Sequence, residues 1–148
     1  MCQDDYFWDL WPSNAAGQSM LSQSSTVFIE FVSLWIAVRL YARRFSGSIM
    51  RAYCDNAGVV QNWQSQCSPS SGPIQAVIKA ISLELLANSV YLVVEWIPTL
   101  SNVLPDYLSR QGTVARNAAL DMGLATRHRS HVPKEWLQQA WGMLQLPS

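Results

Sequence analysis

A chain of 148 residues is long enough for one ordinary domain with a single hydrophobic core, and too short to promise two. Its 49% hydrophobic and 11% aromatic content, with seven Trp, excludes the low-hydrophobicity, high-charge composition of disordered chains. Ten basic residues balance ten acidic ones, so no global positive field draws in nucleic acid, and any such binding must be local.

Cys2, Cys54 and Cys67 form an odd set without C-x-x-C spacing, which argues against a disulfide framework and a zinc knuckle and implies reduced intracellular thiols. The opening Met-Cys-Gln-Asp-Asp has acidic residues where a secretion signal places basic ones, and no apolar segment follows directly. Val27 to Val38 is too short to cross a bilayer and contains Glu30, while Ala76 to Ile97 is interrupted by Lys79, Glu84 and Glu95. The expected setting is intracellular, without a membrane partner.

Residues 1 to 25 read as one edge strand around Tyr6 to Trp11, stopped by Pro12, and then a small polar loop. From Val27 to about Arg44, Ile29, Val32, Ile36 and Leu40 share one helical face while Phe31, Leu34, Val38 and Tyr41 occupy others, which predicts a buried helix. Glu30 falls in its first turn. Ser46-Gly47-Ser48 stops that helix, and Ile49 to Cys54 predicts a strand that ends on a polar corner at Asp55-Asn56. Ala57 to Trp63 suits a short helix, and Ser65 to Pro73 is a loop by composition. Ile74, Val77, Ile78, Ile81 and Leu85 then carry the spacing of one buried stripe behind Pro73. Tyr91 to Ile97, β-branched and aromatic and stopped by Pro98, predicts an interior strand. A further helix is expected from Asn102 to Leu108. Strand and helix alternate, as in an α/β layer with parallel strands joined by right-handed crossovers.

In such a sheet ligands gather at the carboxyl ends of the strands. Asp55 closes one strand, and Asp106 follows the next in the first turn of the last helix, so with Glu30 three carboxylates from separate elements are candidates to converge. Hard oxygen donors of this kind suit Mg²⁺ or Mn²⁺. The same residues also fit a structural account: the helix dipole favours a carboxylate in a first turn, which covers Glu30 and Asp106, and Asp55-Asn56 can serve as a helix cap. Spacing alone does not separate the two.

Glu30 with Leu34, Ala37 and Val38, the block Tyr53-Cys54-Asp55-Asn56-Ala57-Gly58-Val59-Val60, and the run from Glu95-Trp96-Ile97-Pro98 through Asn102 and Asp106 to Leu108-Ser109-Arg110 resemble the ribonuclease H-like domain of reverse transcriptases, most of all those of DIRS and Ngaro type retrotransposons. Trp11-Pro12 resembles the end of that family's early strands, and Val132-Pro133, more loosely, a segment beyond the domain. The resemblance implies a ribonuclease H-like fold, a mixed sheet with parallel strands flanked by helices, over residues 1–110, with 111–148 a partly helical extension. It implies that Glu30, Asp55 and Asp106 are catalytic and hold Mg²⁺ (or Mn²⁺), and that Asn56, Asn102 and Arg110 contact the nucleic acid. The implied reaction is cleavage of RNA in an RNA/DNA hybrid, and the implied partner is the remainder of a reverse transcriptase polyprotein.

Three positions depart from the family pattern: Thr99 replaces a Gly, Pro105 an Ala and Glu95 a His. The fourth carboxylate of the family, an Asp on the first strand, has no match, because Asp4, Asp5 and Asp9 stand too close to Trp11-Pro12 to leave room for that strand and its hairpin partner. The first strand is therefore expected to be missing. From this follow two expectations: an inactive remnant acting as a binding or scaffolding module is the alternative to an enzyme, and the exposed sheet edge is a place for self-association. His128 and His131, set among arginines, read as a solvated loop; Arg39, Arg43 and Arg44 read as the wet edge of the long helix; Trp35 and Trp96 read as core; and Trp136, Leu137, Trp141 and Leu144 predict a short amphipathic helix.

Overall fold

A computed structural model describes residues 5–6, 11–14, 16–68, 71–101 and 128–147. Its elements in chain order are β1 (Asp5–Tyr6), α1 (Met20–Gln23), α2 (Thr26–Tyr41), β2 (Ile49–Cys54), α3 (Ala57–Ser65), α4 (Gly72–Asn88), β3 (Tyr91–Trp96), β4 (His128–Arg129) and α5 (Lys134–Leu144). The chain is mixed α/β, with β2 and β3 paired in parallel from Ile49 opposite Tyr91 to Cys54 opposite Trp96. β1 pairs in parallel with β4, in a second two-stranded sheet.

Each long element forms for a local reason. The Ser25 side chain accepts from the Phe28 N–H and starts α2, whose buried side chains Phe28, Phe31, Val32, Trp35, Ile36 and Val38 lie on several faces, as a helix enclosed by its neighbours requires. A 3-10 turn over Ala42–Phe45 and Gly47, at φ 76° where a Cβ is disfavoured, then reverse the chain into β2. The Ser71 side chain caps α4, Pro73 sits in its first turn, and all five residues of the predicted stripe, Ile74, Val77, Ile78, Ile81 and Leu85, are buried. α4 lies along α2, and the inward side chains of the sheet, Met50, Leu92 and Val94, complete the core beneath the helices.

Several expectations are corrected. The segment read as a loop before α2 contains the short helix α1, with Met20 fully buried. Arg39 is not a wet edge: its guanidinium pairs with Glu84 at 3.2 Å, donates to Gln139 at 2.9 Å and lies 4.2 Å from the centroid of Trp136. The wide planar cation thereby joins α2 to both α4 and α5, a role for which its long apolar stem is suited. The amphipathic helix α5 buries Leu137 and Ala140 and packs against α4, on the helical side of the molecule. Trp96 is not core: at the last position of β3 it is 54% exposed. The helix expected from Asn102 to Leu108 lies outside the described residues. No helix among those described is long and apolar enough to cross a membrane.

Candidate metal centre

Cys54 is the last residue of β2, so Asp55 stands one residue beyond the strand rather than on it. Asn56 follows as the cap of α3, its Oδ1 accepting from Gly58 N–H at 2.9 Å and from Val59 N–H at 3.4 Å. Gly58 lets α3 begin hard against α2: a Cβ there would lie 3.0 Å from Val27 Cγ2 and 3.1 Å from Asn56 Oδ1. That close approach sets the amino end of α2 beside the carboxyl end of β2. Glu30, the fifth residue of α2 and thus past the first turn in which it was expected, there meets Asp55. One ligand atom each from Glu30, Cys54 and Asp55 lies within 4.8 Å of the others, and all three residues are half-buried.

This placement bears on the structural accounts of the two carboxylates. The dipole field falls off within the first helical turn, so it does less to explain Glu30. Asn56, not Asp55, supplies the capping oxygen, so the cap does not require a carboxylate at position 55. Asn56→Ala is expected to cost about 1 kcal/mol in urea denaturation, whereas Asp55→Asn relieves repulsion with Glu30 and is expected to leave stability unchanged or slightly raised. A loss above about 2 kcal/mol for Asp55→Asn would return that residue to a structural role.

Two contributors were missed in the sequence. Cys54 shares the inward face of β2 with Met50 and Ala52, and that period-two position was the available signal. Trp96, opposite Cys54 in the strand register, donates from Nε1 to the Asp55 carbonyl at 3.3 Å and holds the corner that carries the carboxylate. Asp106, Asn102 and Arg110 lie outside the described residues.

Burial pushes the Cys54 thiol up from 9.0 to about 11; the Asn56 backbone N–H favours the thiolate, and the carboxylates of Glu30 and Asp55 oppose it. At neutral pH the thiol is protonated and a weak donor, and the strong donors in the cluster are carboxylate oxygens, which fit a hard divalent cation. Because the folded pKa is the higher one, the stabilising contribution of the neutral thiol is fully present below 9.0 and is lost as pH climbs through about 11. At about pH 8 the folded protein should alkylate Cys54 about a hundredfold more slowly than the urea-unfolded chain. Equal rates, followed by mass spectrometry of the Cys54 peptide, would contradict this environment.

Compared with protein-family models, curated proteins and solved structures, the chain matches none.

Proposed function

We propose that this chain is a ribonuclease H-like domain of retroelement reverse transcriptase origin, whose ancestral reaction is the intracellular hydrolysis of RNA paired to DNA. The observation that supports the reading is the approach of Glu30 and Asp55 at the carboxyl end of the parallel strand pair, where a sheet of this class presents its ligands. The resemblance adds Asp106 as the third carboxylate. Glu30, Asp55 and Asp106 would hold Mg²⁺ or Mn²⁺, and the cations would supply an activated water and neutralise charge at the leaving 3′ oxygen. The residues themselves orient the site: α3 and its Asn56 cap fix the corner after β2, Trp96 anchors the Asp55 carbonyl, and the buried face of α2 fixes Glu30. Asn56, Asn102 and Arg110 are the proposed contacts to the hybrid.

One observation favours the rival, an inactive binding or scaffolding module. Among the described residues only two carboxylates meet, and no described strand bearing an Asp lies beside β2.

Cation binding tests the site under both readings. Mn²⁺ is expected to broaden the backbone amide signals of Glu30, Cys54, Asp55 and Asp106 first, and to bind weakly to so small a set of carboxylates. Broadening scattered over the surface, sparing these residues, would overturn the assignment.

A further inference from the structure

Among the described residues, the two edges of the parallel pair differ. Tyr91 N–H donates to Ser48 O at 3.1 Å and Ile97 N–H to Cys54 O at 3.0 Å, so the even-numbered residues of β2 turn their peptide groups toward β3. The peptide groups of Ile49, Arg51 and Tyr53 point the opposite way, and no described residue pairs with them. On the far edge of β3 the indole Nε1 of Trp63 donates to the outward Leu92 carbonyl at 3.4 Å, and α3 packs beside it. That contact occupies one outward carbonyl of the β3 edge. The sequence of β2, Ile-Met-Arg-Ala-Tyr-Cys, contains no Pro, and its one charged guard, Arg51, is paired with Glu95 of β3.

We infer that β2 pairs with β2 of a second copy of this chain, antiparallel about a twofold axis at Arg51, to make a closed dimer with a four-stranded sheet. The register follows from the strand itself. Side chains on one face must meet side chains on the same face, so the axis passes through a single residue of β2. Centred on Arg51, all three outward-facing residues of both copies find backbone partners. Centred on Met50 or Ala52, one of the three falls beyond the opposing strand. The chosen register also lays Ile49 of each copy against Tyr53 of the other, and these are exposed apolar side chains, at 52% and 55%. The opposing cost is one like-charge meeting of Arg51 with Arg51, which is reduced because each guanidinium lies 3.2 Å from its own Glu95. A second copy fits better than an unrelated strand because β2 is complementary to itself in this way. Two copies suffice because a twofold pairing uses the same β2 edge of both and leaves none over. Pairing also takes the sheet from two strands, a marginal size, to four. The inference does not depend on the proposed hydrolytic function.

Sedimentation equilibrium and hydrogen exchange on the full chain test it. The expected species is a dimer whose Arg51 and Tyr53 amides become protected as concentration rises. Arg51→Pro removes an outward N–H at the axis together with the charge, so compared with Arg51→Thr, which loses the same charge and keeps the N–H, it should leave the helical circular dichroism intact and raise the dissociation constant at least about tenfold. Tyr53→Lys should weaken the dimer in the same direction. Arg51→Thr should tighten it, because the like charges at the axis are gone. Leu86→Lys, a substitution of an exposed side chain on α4 away from the edge, should change nothing. A monomer at all concentrations would overturn the inference, whether those amides are protected by another segment of the same chain or stay open. Open-ended oligomers, or a dimer indifferent to Arg51→Pro and Tyr53→Lys, would overturn it equally.

Discussion

Phe31→Ala is expected to cost about 3–5 kcal/mol in urea denaturation. Phe31 has no exposed surface, and it lies in a core cluster with Phe28, Val32 and Trp35 from its own helix and Val77, Ile78 and Ile81 from α4. Removing the ring loses its transfer free energy and leaves a void that helices held on both sides do not easily close. Leu86→Ala is the contrasting substitution: Leu86 is 75% exposed near the end of α4, and its truncation should fall within about 0.5 kcal/mol of no effect. A loss below about 1 kcal/mol for Phe31→Ala would mean that α2 is not the enclosed helix described above.

What the sequence revealed of this fold depended on how strongly a single period governed each segment. The stripe from Ile74 to Leu85 obeys a 3.6-residue repeat and nothing else, and all five of its members are buried. Ser46-Gly47-Ser48 and Asp55-Asn56 punctuate β2 on both sides, which places it to within one residue of its observed end at Cys54. The misreadings came where tertiary context decides. Trp96 has the composition of a core residue, but it ends a strand, where the described residues leave more than half of it exposed. Arg39 looked like one more charge on a helix edge, and only the folding of α4 and α5 against α2 supplies Glu84, Gln139 and Trp136 around it. Of the candidate site, Glu30 and Asp55 were legible as residues, but their meeting rests on the contact of α3 with α2 at Gly58 and Val27. A side chain missing from one glycine gives no periodic signal. Cys54 reads in the sequence only as one of three reduced thiols, whereas the strand parity turns it toward Glu30.

The proposed hydrolytic role carries the largest expected change in activity. In a two-cation site the carboxylates act as a unit, so lacking one does not leave a proportionate share of rate. Glu30 and Asp55 sit together without a described carboxylate on a strand beside β2, and the open edge of β2 is the position that such a strand would take. The 148-residue chain is accordingly expected to show no measurable cutting of an RNA/DNA hybrid. Joining an upstream hairpin whose first strand carries an Asp should fill that edge in the same chain, exclude the second copy and create Mg²⁺-dependent cutting of the RNA strand. The most direct measurement is therefore hydrolysis of a labelled hybrid by the extended chain, with and without Asp55→Asn. The predicted result is RNA-strand cleavage in Mg²⁺ that Asp55→Asn lowers by at least about a thousandfold. The contradicting result is an extended chain, folded and monomeric, that leaves the hybrid intact in Mg²⁺ and Mn²⁺, or one whose cleavage survives Asp55→Asn.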